Sequence, residues 1–268
     1  MKGGGLRLYA MLYLLFLYAP ILLLPVFAFN NATVIAFPLK GFTTEWFSQM
    51  VGNAALRKAL TNSLVIAVSA SILATCLGVF AARASTRFSF PGKGPAMGLI
   101  MLPLVLPEII VAMSLLVVLL AVGVQLSVFT VIIGHTLICM PYAVAILSTA
   151  FSSLDKSLEE AAHDLGETKF SAFRLVILPL VMPGIISALL MCFTISLDEF
   201  IIAFFLAGNE PTLPTYIFSQ LRFPKSIPVI MALGTILVLM SILLLATAEY
   251  FRRRGVARTG TQDTGGFL

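Results

Sequence analysis

The chain has 268 residues, of which 59% are hydrophobic and only 11% charged, with a mean hydropathy of +1.03. These proportions exclude an ordinary water-soluble globular domain, which carries about 45–50% apolar and 25% charged residues, and they indicate a polytopic membrane protein. The net charge of +5 does not require a nucleic-acid partner, because the basic residues gather in the short segments between apolar runs.

Apolar runs of roughly 20 residues predict six spans, at 8–29, 61–82, 96–121, 127–150, 180–206 and 229–251. The first is too long for the apolar core of a signal peptide and lacks an A-x-A cleavage site, so it is retained as a span. Six spans place both termini on one side. That side carries Lys2, Arg7, Arg83, Arg87, Lys93, Lys156, Lys169, Arg174, Arg252, Arg253, Arg254 and Arg258, against Lys40, Arg57, Lys58, Arg222 and Lys225 on the other. The positive-inside rule therefore puts both termini in the cytoplasm of a multi-pass membrane protein.

After the first span comes an outer loop containing Trp46, the only tryptophan, near Phe42 and Phe47. It reads either as an amphipathic helix lying on the membrane or as an aromatic interface anchor. Asn31-Ala32-Thr33 matches a glycosylation acceptor, a pattern too short to carry weight here. Gly92-Lys93-Gly94 lacks the rest of a phosphate-cradling loop, so no nucleotide site is predicted. In the third span, Pro103 and Pro107 interrupt the apolar run just before Glu108, a pattern expected where a broken helix lines a path through a bundle.

His135 in the fourth span reads as a proton relay or as a hydrogen-bonded core residue. Cys76, Cys139 and Cys192 all fall in apolar segments without paired spacing, and they are read as small buried hydrophobes. No metal-ligand spacing is present.

The segment 157–178 is polar and lies between two spans. Ser157 and Glu160 have capping-box spacing, Ala161 and Ala162 allow close approach of a partner, and Gly166 permits a turn into a second short helix carrying Phe170, Phe173 and Leu175. Leu178-Pro179 is expected to end that helix where the chain re-enters the membrane. A compact helical hairpin facing water can transmit a partner's movement to the spans. The bland alternative is a pair of interfacial helices with a structural role.

Asp198 and Glu199 in the fifth span, with Glu108, are carboxylates within apolar segments, where each costs roughly 2.5–3.5 kcal/mol unless it faces water or a partner. Adjacent helical residues differ by about 100°, so Asp198 and Glu199 share a cavity only if the helix breaks there. Asp198 is placed on the pathway, with Ser196 and Thr194 adding hydroxyls. The alternative puts both acids at the outer headgroups. Carboxylates without a basic residue in any span favour a cationic solute. The outer loop from Gly208 to Pro228 contains Pro211, Pro214, Pro224 and Pro228, which preclude a long helix and suit a docking surface.

Glu160-Ala161-Ala162 followed by Gly166 and then Leu178-Pro179 resembles the cytoplasmic coupling motif of ABC-importer permeases, E-A-A-x3-G-x9-I-x-L-P. Val176 stands where isoleucine is usual. Over nearly its whole length the chain is similar to the second permease subunit of spermidine/putrescine importers. That likeness is carried by Gly41 to Trp46, Pro107-Glu108-Ile109-Ile110, Glu159 to Gly166, Ile177 to Pro183 and Phe193 to Glu199. Glu108 and Glu199 replace the aspartates of that family.

The resemblance implies an all-α integral membrane protein with six transmembrane helices, the type I ABC-importer permease fold and a cytoplasmic coupling-helix hairpin, in a bacterial inner membrane. It also implies a second homologous permease, a periplasmic substrate-binding protein and two cytoplasmic ATPase subunits that bind ATP and Mg, leaving this chain without cofactor, metal or catalytic residues. Glu160, Ala161, Ala162, Asp164, Gly166, Leu178 and Pro179 would couple to the ATPase. Glu108, Thr194, Ser196, Asp198 and Glu199 would line the substrate pathway. Related permeases serve opines, phosphonates, amino-acid derivatives and ferric ions, and a permease fold alone does not select among ligands. A gradient-driven secondary transporter is the rival from another class, but no inverted repeat is detectable. An intramembrane enzyme lacks any motif such as H-E-x-x-H.

Overall fold

A computed structural model describes the backbone of residues 3–259 and the side chains of 5–243. Lys2 and the side chains of Arg252, Arg253, Arg254 and Arg258 lie outside the described residues. All the regular structure described is helical apart from one isolated bridge, between Asn30 and Phe42. Among the described residues, five helices are long and apolar enough to cross a bilayer, and a sharply bent pair makes a sixth if counted as one span.

The chain divides into two compact units. The first contains α1 (Gly3–Ala28), α2 (Glu45–Gly52) and α12 (Ile227–Thr259), with α12 packed against both of the others. Here α2 is amphipathic, but its apolar residues Trp46 and Met50 are buried within the unit, and the Trp46 indole Nε1–H donates to the Asn30 carbonyl at 2.9 Å. Trp46 is therefore packed inside the protein rather than presented on its surface. Burying the indole requires a partner for its N–H, and the folded loop before α2 supplies one.

The second unit is built on α3 (Ala54–Arg87), α6 (Val128–Ser152) and α9 (Leu178–Asp198), which pack on one another. The buried face of α3 carries Ala59, Ser63, Ala67, Ala70, Ala74, Gly78 and Ala82. Small residues at this spacing let helix backbones approach closely, which is how helices associate where lipid removes the hydrophobic driving force. Leu147, Phe151, Val181 and Ile177 fill the core between these helices. Cys139 and Cys192 meet across α6 and α9, each thiol directed at the other's carbonyl at 3.4 and 3.5 Å. Cys76, in contrast, is exposed rather than buried.

The third predicted span is broken. Its first part, α4 (Lys93–Met101) with a 3₁₀ turn over Leu102–Leu104, meets α5 (Glu108–Ala121) at a bend of 108°. Pro103 and Pro107 account for the break, since each removes a backbone donor and restricts the residue before it. The fifth span also stops early. After Asp198 the backbone at Glu199 is extended (φ −69°, ψ 119°), and α10 (Ile201–Leu206) then packs on α5 and α6.

Close approach of α10 to α6 depends on Gly134. A Cβ there would lie 2.5 Å from Ile202 Cγ2 and 2.9 Å from Leu206 Cδ1. The loop that follows is tied to α3 by a Lys58–Glu210 ion pair at 2.9 Å and by Ser63, whose hydroxyl accepts the Leu213 N–H at 2.7 Å. Hydrogen bonds from Lys58 and Asn62 hold the Glu210 carboxyl below the ordinary glutamate value. The prolines of this loop limit it to the short α11 (Leu213–Gln220) and a 3₁₀ turn over Pro224–Ser226 before α12.

Candidate functional site: a carboxylate cleft and a polar hairpin

Glu108 is the first residue of α5, immediately after the proline break, and Asp198 is the last residue of α9. Both breaks open onto one cleft of about 580 Å³ lined by Glu108, Met191, Thr194, Asp198, Glu199 and Phe200, together with Ile195 and Ile201. The condition set by the 100° helical step is thus met, because the helix ends between Asp198 and Glu199. No proline or glycine marks this break. Instead Glu199 folds back so that its carboxylate Oε1 accepts the Ile202 N–H at 2.9 Å, satisfying a donor that the first turn of α10 leaves free.

Asp198 and Glu108 are exposed to the cleft, while Glu199 is 8% exposed. The Thr194 hydroxyl donates to the Leu190 carbonyl one turn back at 2.9 Å, in the manner usual for threonine in an apolar helix. No lysine or arginine is among the residues lining the cleft. Ser196 does not join this group. It is buried, and its hydroxyl lies 2.7 Å from Nδ1 of His135, itself 1% exposed. His135 accordingly occupies the place of a hydrogen-bonded core residue fastening α6 to α9.

The polar hairpin begins with α7 (Ser157–Asp164) and continues through α8 (Lys169–Ala172) into a widened π turn over Phe173–Ile177. The expected capping box does not form. Ser157 is already helical, and its N–H donates to Asp155 Oδ1 at 2.9 Å. That bond and the Ser157 hydroxyl hold the Asp155 carboxyl below its usual value. At the other end Gly166 has φ +88°, its N–H donates to the His163 carbonyl, and the Glu167 N–H reaches the Ala162 carbonyl. This is the paired bonding of a Schellman cap, which favours glycine at that position. Thr168 then caps α8 through a bond from the Ser171 N–H at 3.2 Å.

Leu178-Pro179 does not end the helix, contrary to the sequence expectation. Leu178 keeps helical geometry (φ −58°, ψ −45°), and residues Lys169–Asp198 form a single stretch of 30 residues, roughly 45 Å long. The widened turn immediately before Pro179 alters the bonding ladder where proline lacks an N–H, so the chain runs on as helix.

Glu160, Ala161, Asp164 and Gly166 are exposed, as are Leu165 at 86% and Phe170 at 73%, whereas Ala162 is buried inside the hairpin. Leu178 packs against the core and Pro179 is exposed. Sequence reasoning missed the roles of Glu159, Arg83 and Arg87. Arg87 Nε lies 3.2 Å and Arg83 Nη2 3.8 Å from the Glu159 carboxylate. Two arginines four residues apart at the end of a span were the available signal, but they read equally well as cytoplasmic charge.

A broken-helix cleft within an apolar helical unit, joined by one continuous helix to a polar hairpin, fits the membrane subunit of an ABC importer. Residues 74–259 match the family described as binding-protein-dependent transport system inner membrane component, and the chain belongs to that family. It is 33% identical over 252 residues to the spermidine/putrescine transport system permease protein PotC of Shigella flexneri, covering 94% of this chain and 93% of the relative. It is 35% identical over 258 residues to the putrescine transport system permease protein PotI of Escherichia coli K12, covering 91% of each.

The fold is also that of a solved bacterial ABC transporter involved in the import of the acidic polysaccharide alginate. The TM-score is 0.71 at 14% identity, over 93% of this chain and 98% of the other.

Proposed function

We propose that this chain is one of two homologous permeases in a bacterial importer for polyamines such as putrescine or spermidine. A periplasmic binding protein delivers the solute, and two cytoplasmic subunits bind and hydrolyse ATP with Mg. Both termini and the hairpin 157–178 face the cytoplasm.

The observation that carries the substrate class is the cleft, in which Glu108, Asp198 and Glu199 converge without a basic side chain. A linear ammonium dication gains charge-assisted hydrogen bonds there, while an anion meets repulsion. Met191, Phe200 and the neighbouring isoleucines offer apolar surface to the methylene chain between ammonium groups. The two polyamine permeases similar to this chain support the same reading.

At the other end, exposed Glu160, Ala161, Asp164, Leu165 and Phe170 form the surface offered to an ATPase subunit. Closure of the ATPase pair pushes on this surface. Because α8 is continuous with α9, the push reaches Asp198 through a helix rather than through a loop. The chain performs no covalent chemistry, and its part is to change which side of the membrane the cleft faces.

The test is ATPase activity of the reconstituted complex, with its second permease, ATPase and binding protein, in the presence of putrescine, spermidine and unrelated solutes. Stimulation by a polyamine is expected. Stimulation only by another class of solute would overturn the substrate assignment.

A further inference from the structure

Arg83 and Arg87 lie one turn apart at the cytoplasmic end of α3 and converge on Glu159 in α7, at 3.8 and 3.2 Å. Each arginine has a second engagement. The Arg87 Nη2 donates to the Leu154 carbonyl, just past the end of α6, at 2.9 Å. The Arg83 guanidinium lies 4.1 Å from the centre of the Phe173 ring, in the π turn that leads into α9. The Arg87 side chain is only 8% exposed and that of Glu159 22%, so the pair is screened less than a surface ion pair.

We propose that Glu159, Arg83 and Arg87 form a clamp that delivers movement of the hairpin to α3 and α6 as well as α9, making them positioning residues for energy coupling. The inference rests on the hairpin being the ATPase contact. Covalently, the hairpin is joined to the bundle only by the short loop after α6 and by the start of α9. A push on its exposed surface can tilt it about those two joints without moving α3.

The clamp closes that freedom. It ties α7 to α3 through two charged contacts, ties α3 to the loop after α6, and stacks α3 on the π turn. The adjacent acids Glu159 and Glu160 thereby divide two tasks. The helical step of about 100° turns Glu159 inward to the clamp and leaves Glu160 exposed to the partner.

Glu159→Gln keeps the side chain's shape and removes its charge. In the assembled complex the ATP hydrolysed per solute imported should rise about fivefold or more, the lower end of ordinary coupling energies. ATPase subunits should still co-purify, and exchanging the charges with Arg87→Glu and Glu159→Arg together should restore part of the coupling. A wild-type ratio in Glu159→Gln, or an exchanged pair no better coupled than the single variant, would overturn the clamp.

If Glu159→Gln fails to assemble, Arg83→Lys keeps the charge but loses the planar guanidinium over Phe173, and it is read by the same ratio. Hydrogen exchange reads the clamp without transport. Loss of the charge should raise exchange in α7 and at the end of α3 together, and unchanged exchange at both would refute it. Failure of the importer reading would be visible separately, as an absence of ATP-driven uptake in the unmodified complex.

Discussion

Gly134→Ala tests whether the carboxylate cleft depends on close packing of α10 against α6. The added Cβ would meet Ile202 Cγ2 at 2.5 Å, Leu206 Cδ1 at 2.9 Å and Leu115 Cδ2 at 3.4 Å. Carbon atoms in good contact lie about 3.5–4.0 Å apart, so α10 or its side chains must retreat by roughly 1 Å. Ile202 and Leu206 are both fully buried, and the Ile202 Cγ2 methyl is fixed directly to its Cβ, so neither side chain has free space to enter. Overpacking of this kind costs about 1–3 kcal/mol.

Because α10 begins two residues after Glu199, its displacement also pulls on the Ile202 N–H that the Glu199 carboxylate accepts. The expected result is a fall in melting temperature of the purified protein of about 2–4 °C per kcal/mol, accompanied by weaker uptake. Gly98→Ala is the control. Gly98 is exposed in α4 with nothing within 4 Å of an added Cβ, so this change should be neutral or stabilising by about 0.5–1 kcal/mol. Wild-type melting and uptake in Gly134→Ala would refute the argument that packing sets the geometry of the break.

At the hairpin, Glu160→Lys reverses an exposed charge, and it should abolish uptake and ATPase stimulation while leaving membrane insertion intact; normal transport would remove Glu160 from the partner surface. Asp198→Asn should lower uptake of a dication about tenfold, the scale of one charged hydrogen bond, with complex assembly unchanged in a pull-down. Unaltered uptake kinetics would make Asp198 structural. Gly166→Ala forces a Cβ into left-handed backbone at about 1–2 kcal/mol. Since space is open around Gly166, the cost is conformational. Faster proteolysis of the hairpin is expected, and an unchanged cleavage rate would argue against the Schellman cap as its organiser.

Signals that act over a few residues were legible in the sequence. Apolar length marked the spans, Pro103 and Pro107 marked the break before Glu108, and Gly166 marked the turn between α7 and α8, because a missing donor or a positive φ is a local requirement. The same local reasoning misjudged Pro179. A proline was expected to stop the helix, but the π turn just ahead of it changes the bonding pattern and lets α9 continue.

Other features were decided only by tertiary structure. Ser196 has the composition of a pathway residue, yet His135, 61 positions away, takes its hydroxyl into the core. Trp46 looks like an exposed surface aromatic until the carbonyl of Asn30 is seen to accept its N–H within the fold. Glu159 and Glu160 are alike in sequence, and only the placement of Arg83 and Arg87 at the end of α3 separates their surroundings. In each case a buried or half-buried polar group finds its partner wherever the fold brings one near. That pairing is set by how the helices pack, which no short window of residues records.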